Sequence, residues 1–297
     1  MTRKRLDEAA REGLLIADGA MGTQLDARGL EPGAPGELWN VERPREVAAV
    51  HRSYLDAGAR VILTNTLGGS RWKLEVAGLG DRVAELNRVA AELAREAAGE
   101  QAWVLGDVGP TGRFMAPLGA ESFEDFVAVF REQVEALVAG GVDAIIVETM
   151  SDLQEARAAL EAAKTVADLP VVVTMTFTPD RVGGDFHTVM GVGVEEAVGA
   201  LEEAGADLVG SNCGVGTEVM AGIIERVVGV ATVPVVAKPN AGLPRLEAGR
   251  TVYDEAPEQF ARVLAGLTGV GARILGGCCG TTPEHIRALV RAVGEGV

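Results

Sequence analysis

The chain has few basic residues, few aromatics, and only three cysteines. Forty-three acidic residues stand against 27 lysines and arginines, giving a formal charge of −16, and aromatics make up 4% of the 297 residues. Nucleic-acid binding needs a basic face for phosphate and flat rings for bases, so nucleic acid is excluded as a partner. No run approaches the roughly 20 apolar residues of a membrane-spanning helix, so no membrane association is expected. In Met1-Thr2-Arg3-Lys4-Arg5-Leu6-Asp7-Glu8 the basic residues lead into acidic ones instead of an apolar stretch, so no signal peptide is predicted. An odd, sparse cysteine count fits a reducing cytoplasm, where thiols stay available to metal.

What the chain does have is apolar bulk, 47% of its residues, in short β-branched runs. Eight runs recur, at 14–18, 60–64, 103–107, 144–148, 171–176, 208–212, 235–238 and 273–276, each followed by a turn and an alanine- and glutamate-rich stretch of helical period. They are continuously apolar, as parallel strands covered on both faces are. Eight β-then-α units in this length predict an α/β protein of (β/α)₈ barrel type, one domain over residues 1–297, with a doubly wound open sheet as the competitor. Ser151 with Gln154, Ser122, and Thr282 before Pro283 read as helix N-caps. Gly140-Gly141, Gly205 and Gly271 read as left-handed helix ends. Residues 31–36, with two prolines and two glycines, form a long first loop.

Cys278 and Cys279 are adjacent in Gly276-Gly277-Cys278-Cys279-Gly280-Thr281, and Cys213 lies in Ser211-Asn212-Cys213-Gly214. Adjacent cysteines rarely bridge, because a disulfide wants Cα atoms roughly 4.4–6.8 Å apart and neighbours are about 3.8 Å apart. Three thiols without a fourth partner read as ligands of zinc with one open position, the arrangement of a catalytic site. Cys213 ends the sixth strand and the pair ends the eighth, and strands two apart in a barrel bring their ends close enough to share an ion.

Active sites of such barrels lie at the carboxyl ends of the strands. Here those ends are polar: Asp18, Thr64 with Asn65, Asp107, Glu148, Thr176, Asn212, Lys238 with Asn240, then the cysteine pair. Other readings stay open at this level. The cysteines can be small buried hydrophobes, the glycines near the eighth strand can cradle a phosphate, and Asp18 and Glu148 can be helix N-terminal charges. His51, His187 and His285 show no metal spacing, and His51 and His285 read as surface or packing residues within helices. Gly191 to Glu196 reads as a helix start, and Lys238 as a charge-balancing lysine.

Taken together, Asp18-Gly19-Ala20-Met21-Gly22-Thr23, Thr64-Asn65-Thr66, Glu148-Thr149-Met150-Ser151-Asp152, Ser211-Asn212-Cys213-Gly214, Lys238-Pro239-Asn240-Ala241-Gly242 and Gly276-Gly277-Cys278-Cys279-Gly280-Thr281 resemble, in this order, the zinc-dependent homocysteine S-methyltransferases. The flanks Leu243-Pro244 and Thr282-Pro283-Glu284-His285 are most similar to the homocysteine-binding domain of the cobalamin-dependent methionine synthase branch. The resemblance implies Cys213, Cys278 and Cys279 as zinc ligands, with Asp18 and Glu148 near the amino group of L-homocysteine. It also implies backbone N–H groups of Gly19, Ala20 and Met21 at the substrate carboxylate, with Thr66 and Asn240 in support. Leu67 departs from the pattern, since family members often carry an aromatic there.

The implied reaction is methyl transfer to a thiolate, which zinc makes available at neutral pH. The resemblance implies methylcobalamin, on a corrinoid-binding domain or a separate protein, as methyl donor. S-methylmethionine, S-adenosylmethionine or betaine are the alternative donors, and a homocysteine- and zinc-binding module without activity of its own is the non-enzymatic alternative. A small cationic donor would need aromatic faces, and among the tryptophans only Trp39 and Trp72 fall near the loops that follow strands.

Overall fold

Eight strands alternate with eight principal helices along the chain, in a computed structural model that describes residues 3–180, 184–247 and 250–294. The strands are β1 (Leu15–Ile16), β2 (Val61–Leu63), β3 (Trp103–Val108), β4 (Ala144–Met150), β5 (Val171–Met175), β6 (Leu208–Asn212), β7 (Val235–Lys238) and β8 (Ala272–Leu275). The helices that follow them are α1 (Pro44–Asp56), α2 (Val83–Ala98), α3 (Phe123–Ala139), α4 (Leu153–Val166), α5 (Val194–Glu203), α6 (Thr217–Val230), α7 (Pro257–Val270) and α8 (Pro283–Gly294). Every strand pairs in parallel with its neighbours in the order β1, β8, β7, β6, β5, β4, β3, β2. A parallel bridge between Ala17 and Val61 closes the ring, and Asp18 N–H donates to the Val61 carbonyl at 2.9 Å. This is the (β/α)₈ barrel, and all eight expected runs are its strands. The two ends of the expected 1–297 domain, residues 1–2 and 295–297, lie outside the described residues.

The unbroken apolar runs have a double use. Ala17, Val61, Leu63, Leu105, Ile146, Val172, Leu208, Val236 and Ile274 fill one cluster inside the barrel, while alternate residues such as Ile62, Val104, Ile145, Val173 and Val209 join the larger core beneath the helices. Both faces are buried, which is why no polar alternation marks these strands. A helix over Leu6–Glu12 contributes Leu6 and Ala10 to the interior cluster. Its flank is tied to residues that lead into strands, through Trp103 Nε1 to the Lys4 carbonyl at 3.0 Å and Arg5 to the Asp168 carbonyl at 3.1 Å. The amino-terminal end of the barrel is therefore plugged, and the opposite end is left for chemistry.

Helix starts follow the expected residues with one shift. Ser122 and Asp125 form a reciprocal capping box on α3. At α4 the cap is Asp152, whose Oδ1 accepts from Gln154 N–H at 2.8 Å, and not Ser151. Strand β4 runs on to Met150, which leaves Ser151 in the exit turn, and a carboxylate is the better acceptor at a helix N-terminus. At α8 the Thr282 hydroxyl lies 2.9 Å from His285 Nδ1. Gly141, Gly205 and Gly271 have φ of 88°, 95° and 125°, as left-handed helix ends require, whereas Gly140 closes α3 with ordinary φ of −82°. Two small hairpins were not anticipated: Thr178–Pro179 with Phe186–His187, and Arg245–Glu247 with Arg250–Val252. His51 and His285 are buried within α1 and α8, as packing residues are. Among the described residues no helix is long and apolar enough to cross a membrane.

Candidate metal centre and substrate cavity

Asn212, the last residue of β6, is fully buried and holds the loop ends together. Its Oδ1 accepts from Thr149 N–H at 2.8 Å and from the Thr174 hydroxyl at 2.7 Å, and its Nδ2 donates to Thr149 Oγ1 at 2.8 Å. The same Nδ2 lies 3.8 Å from Cys278 Sγ. Thr149 and Cys213 are the two non-glycine residues with positive φ among those described, 64° and 59°, a strained backbone that persists only where the surroundings fix it. The chain turns back at Cys213, which points its sulfur toward the loop after β8.

That loop is equally constrained. Gly277 N–H donates to the Asp18 carbonyl at 2.9 Å and Cys278 N–H to the Pro239 carbonyl at 2.8 Å. A Cβ on Gly277 would sit 2.3 Å from Thr281 Oγ1, so only glycine fits there. Thr281 Oγ1 in turn donates to the Cys278 carbonyl at 2.7 Å and accepts from Ala20 N–H at 3.0 Å. The outcome is three free cysteines whose sulfurs all lie within 4.8 Å of one another, with Cys213 and Cys279 at 3.9 Å. Tetrahedral zinc with bonds of about 2.3 Å puts its sulfurs about 3.8 Å apart, so the donor set fits that ion in number, softness and spacing. Without a cation the three sulfurs cannot all ionise. Hydrogen bonds from Cys213 and Cys278 pull Cys279 well down, while hydrogen bonding to both neighbours holds Cys278 well up.

Cys278 and Cys279 open onto a cavity of about 530 Å³ at the carboxyl end of the barrel, which Asp18, Glu148, Lys238 and Asp107 also line. Lys238 Nζ meets Glu148 Oε2 at 2.6 Å with both side chains buried. Burial pushes the Lys238 ammonium down, but Glu148 and Asp18 outweigh it and hold the group above its ordinary range. Asp18 Oδ2 accepts from Leu63 N–H at 2.8 Å, while its Oδ1 is buried without a partner. Burial lifts Asp18 to about 7, against the opposing pull of Lys238 and the Leu63 N–H. Its pKa in the unfolded chain is about 3.9, so folding takes up a proton in this window and stability falls as pH rises from about 4 through 7. Asp18→Asn is therefore expected to raise the thermal midpoint of the metal-free chain at pH 8 and to weaken binding of an ammonium ligand. A variant less stable than the parent at pH 8 contradicts this account.

Gly19, Ala20, Met21 and Thr66 line the cavity with the acids. Ala20 N–H is spent on Thr281, so Gly19 and Met21 are the two expected N–H groups that have no partner among the described residues. Thr66 Oγ1 is turned to protein, donating to the Asp107 carbonyl at 2.7 Å. Asn240 lies outside the cavity wall. Its N–H donates to the Val215 carbonyl at 3.0 Å, and the next residue, Ala241, donates to the Cys279 carbonyl at 3.0 Å, so this loop braces the cysteines. Leu67 lines the mouth and is half exposed. Glu37, in the short 3-10 turn Gly36–Leu38 that follows the long first loop, is a further cavity residue not expected from the sequence. It is buried, accepts from Gly68 N–H at 2.7 Å, and is pushed upward by that burial. Its only sequence signal was its place after the proline- and glycine-rich loop.

The fold and site define a class: a (β/α)₈ barrel with three converging cysteines that could hold a metal ion, beside an acidic pocket. The Homocysteine S-methyltransferase family profile matches residues 15–293, and the chain belongs to that family. It is 34% identical over 304 residues to the methionine synthase of Mycobacterium leprae and 35% over 298 to that of Mycobacterium tuberculosis. These alignments cover 96% and 94% of this chain but 25% and 24% of those proteins, so the chain spans about a quarter of the length of the curated relatives it matches. Among solved structures, the metallated form of the Escherichia coli homocysteine methyltransferase MmuM superposes with a TM-score of 0.77 at 29% identity, covering 93% of this chain and 95% of that one. Its oxidised form gives 0.76 at 28% identity, covering 94% and 95%.

Proposed function

We propose that residues 1–297 form one homocysteine-binding barrel that carries zinc on Cys213, Cys278 and Cys279 and methylates the homocysteine thiol to give methionine. The observation that carries this reading is one cavity lined both by cysteine sulfurs and by carboxylates. An amino-acid thiol needs both at once. Zinc bound there would favour the ionised form of a coordinated thiol at neutral pH, where a free thiol is mostly protonated. Asp18 and Glu148 pair with the substrate ammonium, and Gly19 and Met21 N–H groups meet its carboxylate, which fixes the sulfur's direction. The sulfur then bonds to the incoming methyl carbon, the bond to the donor breaks with its electron pair staying on the donor, and the thiol proton goes to solvent. Asn212 and the loop that carries Asn240 hold the cysteines and do not touch substrate. A cytoplasmic setting suits a site made of three free thiols.

For the donor we favour a methylcorrinoid brought by another domain or protein. Among the described residues no aromatic side chain lines the cavity, and sulfonium or quaternary ammonium recognition relies on aromatic faces. Trp39 and Trp72 already carry Arg43 and Arg113 on their rings, at 4.6 and 4.7 Å. Leu67 and Val76 line the mouth while exposed to solvent at 42% and 89%, which suits a large apolar partner over the opening. The test is methionine formation by the zinc-loaded chain from homocysteine with methylcobalamin, S-methylmethionine, S-adenosylmethionine or betaine. Turnover with methylcobalamin above the others is expected. Preference for a small donor overturns the corrinoid assignment, and no methionine from any donor leaves a binding module.

A further inference from the structure

Asp107 is a cavity-lining carboxylate with no hydrogen bond to satisfy it. It lies in β3, buried to 6% exposure, on the wall it shares with Asp18 and Glu148. Oδ1 is enclosed without a partner, and neither oxygen accepts a hydrogen bond among the described residues. The backbone, by contrast, is clamped. Asp107 N–H donates to Thr64 Oγ1 at 2.9 Å, and its carbonyl accepts from Thr66 Oγ1 at 2.7 Å and Gln133 Nε2 at 3.3 Å. The two threonines are themselves joined at 2.6 Å. A side chain on so fixed a backbone is aimed, and burying it without a donor is costly unless a ligand supplies one.

Two simple counts say which ligand. An ammonium has three N–H donors. Asp18 has one oxygen taken by Leu63 N–H and Glu148 one taken by Lys238, which leaves each a single oxygen to offer. Asp107, whose oxygens accept no hydrogen bond among the described residues, offers the third acceptor. In charge, five acids, Asp18, Asp26, Glu37, Asp107 and Glu148, line the cavity against two lysines, Lys73 and Lys238, and a bound cation redresses the balance. Burial, with Glu148 nearby, holds the ligand-free Asp107 well above the usual carboxylate range, the state a cation would reverse.

We propose that Asp107 is a third acceptor for the substrate ammonium, positioned by Thr64 and Thr66, and that it makes the cavity selective for thiols bearing an α-ammonium group. The proposal rests on the homocysteine reading. Thr66, on this view, acts through Asp107 without touching substrate.

The test is calorimetric binding of L-homocysteine and of 4-mercaptobutyrate, the same thiol acid without the ammonium, to zinc-loaded wild type and Asp107→Asn. Loss of one charged hydrogen bond is expected to weaken homocysteine roughly 10- to 100-fold and to leave 4-mercaptobutyrate unchanged. Equal weakening of both thiols, or of neither, overturns the proposal while leaving homocysteine as the ligand. If wild type binds neither thiol, the homocysteine reading falls and takes this one with it. Zinc content and thermal midpoint check that the variant is folded, and Asp107→Ser gives the same comparison if the amide does not fit.

Discussion

Cys279→Ala is expected to lower bound zinc from about one ion per chain to a small fraction after dialysis against a weak chelator, and to slow methyl transfer at least about 100-fold. The magnitude follows from how zinc sites are held. Apparent binding of about 10–16 kcal/mol shared among four ligands makes each worth roughly 3 kcal/mol, about two powers of ten in affinity. The remaining pair, Cys213 and Cys278, gives a two-sulfur site across two loops, with Cys278 already constrained by Asn212 and Thr281. The substrate loses as well, because a free thiol with pKa near 8.5 is only about 3% ionised at pH 7. Metal analysis of the purified variant decides the matter, and zinc retained at about one per chain sinks the three-cysteine centre. The metal-free fold should be indifferent to the change, since all three cysteines sit in half-buried positions past the strand ends.

Those cysteines and the strands beneath them were legible in the sequence for a physical reason. A parallel strand buried on both faces is a short uninterrupted apolar run, and even β1, whose paired core is Leu15–Ile16, announced itself this way. Polar residues where such runs stop, Asp18, Asp107, Glu148 and Lys238, then mark the carboxyl end of the barrel, and all four line the cavity. What stayed hidden depends on which hydrogen bonds are already taken. The Ala20 N–H looks identical in sequence to those of Gly19 and Met21, yet Thr281, 261 residues away, occupies it. Thr66 and Asn240 sit in the right segments, but one faces the Asp107 carbonyl and the other lies behind the cavity wall. Asn212 reads as one more polar strand end until its four contacts with Thr149, Thr174 and Cys278 are seen. Glu37 lies in a single 3-10 turn and the two hairpins lie between strands and helices, segments too short for a periodicity to read.

Lys238→Met should give the largest loss of stability of any single change at the cavity, about 3–5 kcal/mol, read as a lower midpoint in denaturant. Among the described residues Lys238 is the one cation in a salt bridge with Asp18, Asp107 or Glu148, and methionine replaces its stem without its charge. Most of the cost is Glu148 left buried without its counter-ion, so Glu148→Gln in the same chain should recover much of it. Removing Lys238 also withdraws the pull that keeps Asp18 and Asp107 from rising further, so these two acids hold their protons to higher pH in the variant. A carboxyl whose folded pKa exceeds its unfolded value near 4 costs stability as pH rises between the two. The deficit of Lys238→Met should accordingly be smallest in acid and widen as pH rises above about 7, where Asp18 ionises in the parent and stays protonated in the variant. An equal loss with Gln and with Glu at position 148, or a deficit flat in pH, would show that lysine packing and not the ion pair holds the strand ends. The widening deficit is the expected signature of a site that keeps Asp18, Asp107 and Glu148 buried at the carboxyl end of the barrel and pairs Lys238 with one of them.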